Sequence, residues 1–421
     1  MHDAEYMVTK TAQGFIVKGD GLVHQEYLVQ GNYQGILFGP ELELFVVDKE
    51  TFKPKNCLDA LAGHAGFGKT VKPELSAEQI EIIVPPSASL KDLEQNLLDV
   101  ARSVGAILKR EHAALLPISL FDTAEFTITP NPRYDLLIQT LGKDFRNNAV
   151  TVASDQINIG AENEQQAFVI FNAIIPYLPL FVGLGAASPF RNGIVNGRMC
   201  NRMDVYDAAI TKFPQLTGIP PKCESLEMYA RELEQLPIFQ HPNMLYKYSR
   251  PMPQRGVAAE IRCIDRQPTI REYMAFVALS KAITAEATNS KKYTGISGTT
   301  ASRRIIVSEM KLFPDYFSDE TCGATARADP RSAESSTVED CVGCSFNEAK
   351  QFGIVNVPRE RQRLNRLSRF LEPGEQEYLK PLYRRLETGS PARQFVQQAT
   401  GSLTDLYRKI AAQFAAELGG R

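Results

Sequence analysis

The sequence predicts an α+β fold built on an antiparallel sheet, and three observations predict it. Strand-like runs occur in hairpin-like pairs. Several of these runs carry glutamates inside otherwise apolar stretches. Segments of helical periodicity separate the runs and dominate the end of the chain. With 421 residues and no internal repeat or clear boundary, the chain is expected to form a single domain over 1–421.

The elements follow in order. Residues 14–30 hold two alternating apolar runs around Lys18-Gly19-Asp20-Gly21, the pattern of a β-hairpin. The first glutamate run is GPELELFVVD (39–48), and the second, PELSAEQIEIIVPP (73–86), ends at Pro85-Pro86. Ser89 with its following acidic turn is a plausible N-cap for 90–112, where Leu90, Leu93, Leu97, Val100, Val104 and Leu108 recur at helical spacing. ALLPISLF (114–121) and TVASDQINIGA (151–161) read as strands, the first of them buried. The apolar stretch 167–187 is long enough to suggest a membrane span, but Asn172, Pro176, Pro179, Gly183 and Gly185 interrupt it. A kinked core helix is the better reading. A loop from Ser188 to about Met203 follows, then helices over Glu224–Gln235 and Thr269–Thr288, with GVAAEIRCID (256–265) as the third glutamate strand between them. Residues 289–345, rich in Ser, Thr, Gly and Ala, read as an insertion or lid, and 354–419 returns to charged helical patterning.

Successive side chains of a strand alternate faces, so Glu41 and Glu43 share one face. Carboxylates are rarely buried without partners, and several on one sheet face call for cations. Hard oxygen ligands of this kind suit Mg²⁺ or Mn²⁺, so Glu41, Glu43, Glu74, Glu81 and Glu260 are candidate metal ligands. Glu78 reads as surface or a salt-bridge partner, and Asp265 as the partner of a nearby arginine.

Lys and Arg number 47 against 49 Asp and Glu, a net charge of −2, which gives no electrostatic case for nucleic acid or an anionic membrane as partner. The seven cysteines are scattered and odd in number, as expected of a reducing, cytoplasmic location; Cys341 and Cys344 with Cys322 read as reduced thiols in a loop. Neither a GxxxxGK[ST] loop nor a GxGxxG turn after a strand is present, which disfavours the P-loop and Rossmann classes.

The order of motifs resembles the type 2 glutamate–cysteine ligases, or carboxylate–amine ligases, of the glutamine synthetase superfamily. The matching segments are Gly39-Pro40-Glu41-Leu42-Glu43, Glu74 to Glu81, Pro132-Arg133-Tyr134, Ser188-Pro189-Phe190 with Gly193, Gly197 and Arg202, Thr217-Gly218-Ile219-Pro220-Pro221, Glu260-Ile261-Arg262-Cys263-Ile264-Asp265, and Gly389 to Gln394. They are collinear from residue 35 to about 415. One departure is Gln156-Ile157-Asn158 where many relatives carry His-x-His. It looks like the plant-type version, in which amide carbonyls serve as hard donors.

The resemblance implies a curved antiparallel sheet of the glutamine synthetase type, helices on its convex face and a metal–nucleotide site on its concave face. It implies ATP-dependent ligation of an amino-acid carboxylate, first the γ-carboxyl of glutamate, to an amine such as cysteine through an acyl phosphate. Two or three Mg²⁺ (or Mn²⁺) on the five glutamates would bridge the triphosphate. Gln156 and Asn158 would complete a metal shell or hold substrate. Arg262 and Arg202 are the candidate catalytic clamps, Arg262 also touching the nucleotide. The partners implied are amino acid, amine and ATP, and self-association into a homo-oligomer stays open. A ligase for another acid and amine, a guanidino kinase of the same superfamily, and a non-catalytic small-molecule-binding relative remain alternatives.

Overall fold

In a computed structural model, the structure describes residues 31–122, 124–234, 245–289, 357–399 and 402–419, with the backbone of strands β1 (Met7–Thr11), β2 (Gly14–Lys18) and β3 (Glu26–Val29). These three strands form an antiparallel sheet, and the expected hairpin is its β2–β3 pair. The insertion expected over 289–345 lies, apart from Asn289, outside the described residues, and so do Cys322, Cys341 and Cys344.

The main sheet is open, antiparallel and seven-stranded. It is built from β4 (Phe38–Asp48), β5 (Val71–Pro73), β6 (Gln79–Ile83), β7 (Ala113–Leu116), β8 (Ser154–Gly160), β9 (Ser249–Met252) and β10 (Val257–Asp265). Its order is β9-β10-β8-β4-β6-β5, with β7 also paired to β4. β8 pairs with Phe38–Leu42 of β4 and β7 with Phe45–Asp48, so the two strands splay apart near Glu43.

Alternation gives each central strand one apolar face. Leu42 and Leu44, Ile80 and Ile82, Ile157 and Ile159, and Ala259 and Ile261 all enter one hydrophobic core. The helices α1 (Leu90–Arg110), α4 (Glu164–Ile174) and α8 (Ile270–Asn289) pack there. The opposite face holds Glu41, Glu43, Glu81, Gln156, Glu260 and Arg262. Over it lie three further helices, α2 (Pro132–Leu141), α3 (Lys143–Ala149) and α6 (Asn201–Ala208).

Ser89 caps α1 by accepting the Asp92 N–H at 3.2 Å. Ser89→Ala is expected to lower stability by about 1 kcal/mol in urea unfolding with the urea slope unchanged. The apolar segment is a core element: 78% of it is buried, and it breaks at Ile175–Tyr177 around Pro176 before continuing as α5 (Leu178–Gly185).

Three expectations change. The strand expected over 114–121 stops at Leu116, because Pro117 offers no N–H to a ladder. The loop expected from Ser188 to Met203 contains a short β-ladder, Phe190–Arg191 with Ile194–Val195, and the start of α6. Glu78 is not a surface group. It is 6% exposed and accepts bonds from the Ser76 hydroxyl at 2.9 Å and the Thr127 N–H at 3.0 Å, holding the turn before β6.

Candidate active site

Strand register brings the acidic segments together. Glu43 sits directly opposite Glu81 on the β4–β6 pair, Glu41 opposite Gln156 on β4–β8, and Glu260 opposite Asn158 on β10–β8. Glu74, in the turn between β5 and β6, closes the group: carboxylate oxygens of Glu43, Glu74 and Glu81 lie within 4.8 Å of one another. The three line a cavity of about 430 Å³ together with Glu41, Glu260 and Arg262.

Like charges facing each other across a ladder are destabilising. Burial raises the Glu43 carboxyl, although Arg262 and bonds from the Ser154 N–H and hydroxyl oppose this. Glu74 is pushed up to about 8 by burial and then by the charge of Glu43, against Arg133 and Arg262. Glu81 is driven well above the usual range by burial and by Glu41, Glu74 and Glu43. Three crowded carboxylates that resist ionisation together form the donor set a hard divalent cation would neutralise. The residues therefore fit Mg²⁺ or Mn²⁺.

Glu260 differs. Burial works against its ionisation, but Arg250 and Arg262 prevail and hold it down to about 2. Arg250 grips it with two bonds, 2.5 and 3.2 Å, and Arg262 donates to it at 2.6 Å. The structure thus gathers three of the five candidate ligands into one cluster, with Glu41 alongside and Glu260 neutralised by arginine.

The two amides are also separated in their surroundings. Gln156 donates to Glu43 and accepts from Arg262 at 2.5 Å, so both ends of its amide are engaged. Asn158 donates to Glu41 at 2.8 Å, while its Oδ1 is buried with no partner among the described residues. That oxygen is the free hard donor of the pair. Asn158 is among the residues lining a second cavity of about 180 Å³, which shares Glu41 and Arg255 with the first. Behind the sheet, the Tyr273 hydroxyl of α8 accepts the Glu41 N–H at 3.2 Å and donates to the Gln156 carbonyl at 2.5 Å, tying the two strands beneath the site.

Arg202 is 1% exposed and donates to Asp265 at 2.7 Å; a further N–H reaches the Arg262 carbonyl at 3.2 Å. It lies in the wall, one layer behind Arg262. Asp265, paired as expected, also accepts from the Ser188 hydroxyl at 2.7 Å.

Sequence reasoning missed Arg250, whose neighbours Ser249 and Pro251 gave no spacing signal; only the β9–β10 hairpin sets it opposite Glu260. Arg133 stood in a matched motif without a role, and lies in the cavity wall at the start of α2. Tyr206 and Tyr246 were unmarked; Tyr206 accepts a bond from Arg262 Nε at 3.3 Å.

The open antiparallel sheet with helices behind it has the fold of a solved glutamate–cysteine ligase, and here an acid-and-arginine cavity lies in front of it. The chain belongs to glutamate–cysteine ligase family 2 (GCS2), whose model matches residues 37–313. A Bordetella avium (strain 197N) protein provisionally named glutamate–cysteine ligase 2 is 26% identical over 259 residues, 58% of this chain and 61% of that protein. A Bradyrhizobium sp. (strain ORS 278) protein of the same name is 26% identical over 257 residues, 58% of this chain and 60% of that protein. The chain thus spans about three fifths of these relatives' length. Among solved structures, the glutamate–cysteine ligase of Francisella tularensis in complex with AMP is similar at TM-score 0.59 and 13% identity, over 93% of this chain and 91% of that one. The bifunctional glutathione synthetase of Pasteurella multocida is similar at TM-score 0.60 and 15% identity, covering 92% of this chain and 53% of that one. The expected fold is borne out.

Proposed function

We propose that the 430 Å³ cavity is the active site of an ATP-dependent ligase that joins an amino-acid carboxylate, first the glutamate γ-carboxyl, to an amine such as cysteine. The observation that carries this reading is the Glu43–Glu74–Glu81 cluster set beside Arg262 and Arg133. In it, Glu43, Glu74 and Glu81 would hold a divalent cation, with Glu41 beside them in the same cavity. Magnesium bound there supplies screening of polyphosphate charge.

The protein's own groups do the positioning. Arg262, fixed by Glu260 and Gln156, presents its guanidinium to a transferring phosphoryl group or a substrate carboxylate. Arg250 keeps Glu260 charged, and Glu260 in turn orients Arg262. Arg202, held in the cavity wall by Asp265, acts as a positioning residue through the Arg262 carbonyl. No protein nucleophile is needed: the substrate carboxylate takes the phosphoryl group, and the amine then displaces phosphate.

The direct test is ADP release with Mg²⁺, ATP, glutamate and a panel of amines, with the amide product identified by mass. A phosphorylated guanidine in place of an amide would make the protein a kinase. ATP binding without Mg²⁺ dependence in calorimetry, and no turnover, would make it a binding protein.

A second test needs no turnover. A carboxyl whose folded pKa is raised to about 8 from about 4.5 stays protonated in the fold while the unfolded chain ionises. Stability of the metal-free protein is therefore intact below pH 4.5 and falls as pH rises from about 4.5 to about 8. Mg²⁺ removes the source of that loss. Its stabilisation, about 2.7 kcal/mol at a hundredfold excess over Kd, is expected to appear as a thermal shift larger at pH 8 than at pH 5.5. An equal shift at both values, or none, would count against metal binding by the cluster.

A further inference from the structure

Arg262 lines the cavity with a guanidinium that has five N–H donors, and three of them are engaged. Nη1 donates to the Gln156 amide oxygen at 2.5 Å and to Glu260 at 2.6 Å, and Nε donates to the Tyr206 hydroxyl at 3.3 Å. Nη2 has no acceptor among the described residues, so its two N–H groups are left for a substrate. The Tyr206 hydroxyl accepts that one bond and donates to no described residue, which leaves its own O–H free as well. In a guanidinium, Nε–H and one Nη2–H point side by side as a fork. The Tyr206 oxygen sits on the Nε tine, and its O–H therefore lies next to the free Nη2 tine.

Helix α6 holds this hydroxyl in place. Arg202 and Tyr206 are four residues apart and share a helix face. Near the start of the helix the Arg202 guanidinium reaches the Arg262 carbonyl at 3.2 Å; one turn on, Tyr206 meets the Arg262 side chain. The Arg202 guanidinium lies 6.0 Å from the Tyr206 ring centroid, and the Tyr246 ring meets it edge-on, also at 6.0 Å. The next residue, Asp207, accepts from the Tyr248 hydroxyl at 2.6 Å and from the Thr217 hydroxyl at 2.8 Å, which pins the end of α6. A phenol that accepts a bond from a cation is also the stronger donor for it.

Fixed donors accelerate a reaction most where charge appears during the step, because charge present beforehand is held equally well at the start. Polyphosphate is charged throughout the ligase reaction. The carbonyl oxygen of an acyl phosphate is neutral and becomes an oxyanion only when the amine attacks. We propose that Tyr206 is a catalytic residue of the amide-forming step, its O–H and the Arg262 Nη2–H together holding that oxyanion. The inference rests on the ligase reading above. In this step the amine nitrogen bonds to the acyl carbon while the carbonyl π pair moves onto the oxygen between the two donors. The pair then returns, the C–O bond to phosphate breaks, and the proton lost from nitrogen leaves with the phosphate as hydrogen phosphate. Tyr206 keeps its proton throughout.

The experiment compares wild type with Tyr206→Phe, which removes the hydroxyl and keeps the half-buried ring. With Mg²⁺-ATP, glutamate and the amine of the panel that gives most amide, amide formation is expected to fall about 10²-fold. Single-turnover ADP formation in the same mixture reports the phosphoryl step and is expected to change by less than about threefold. The acyl phosphate that then accumulates is read as hydroxamate after a hydroxylamine quench. A hydroxyl that only supported α6 or Arg262 would slow both steps together, and retained ADP formation shows that the variant is folded. Equal loss in the two steps therefore overturns the inference, and so does an unchanged amide rate; both leave the ligase reading standing. Wild type that forms no amide with any amine takes down both.

Discussion

Glu81→Gln is expected to reduce turnover by about 10²–10³-fold and to abolish the thermal shift produced by Mg²⁺, while the metal-free protein becomes more stable than wild type at pH 8. The sign of the last effect is the informative one. Glu81 faces Glu43 directly across the β4–β6 ladder, with Glu41 and Glu74 close by, and its carboxyl is raised by burial and by all three. A neutral amide of the same shape removes the cost of holding this carboxyl protonated in the fold while the unfolded chain ionises at pH 8. Structural residues lose stability when truncated; a ligand in a cation-free cage gains it. Titration calorimetry with Mg²⁺ and thermal melts with and without the metal measure both halves. Should the variant keep the wild-type Mg²⁺ response, the cluster is not the cation site.

Asp155→Ala is expected to destabilise the fold by about 3–5 kcal/mol, read as a drop in the urea midpoint. Asp155 and Arg266 are both fully buried. Arg266 donates to the two Asp155 oxygens at 3.0 and 3.2 Å, and the Gln267 N–H adds a third bond at 2.8 Å. Removing the acid strands a guanidinium inside the protein with no water to receive it. Burial pushes the Asp155 carboxyl up to about 7, against the pull of Arg266. Replacing both partners with apolar residues is expected to recover much of the loss, because the cost lies in the unpaired charge. The pair lies between the sheet and α8, so a small loss in Asp155→Ala would mean that water reaches this layer.

Much of the fold was legible in the residues. The β4, β6, β8 and β10 runs carry a period of two, which put Glu41 with Glu43 and marked their apolar alternates as core. Ser89 and its acidic turn marked the start of α1, and Pro176 broke the apolar helix where expected. Such signals are local: each follows from the steric preferences of a few neighbouring residues.

The site was legible only in outline, because alternation assigns a face without assigning a neighbour. Glu260 reads like Glu43 as a glutamate in an apolar strand, yet Arg250 from the adjoining hairpin strand makes it half of an ion pair. Gln156 and Asn158 look equivalent at two-residue spacing; the approach of Arg262 to one and not the other separates a closed amide from an open donor. Arg202 reads like a clamp until Asp265 is seen beside it.

The sequence by itself determined an antiparallel α+β scaffold with acidic residues on one face, since period, caps and breakers act within a turn or a strand. The tertiary structure alone decided which acids crowd together and which meet arginine. Those outcomes depend on register between strands that lie tens to hundreds of residues apart, where displacing a pairing by one residue would turn the acids to the opposite face.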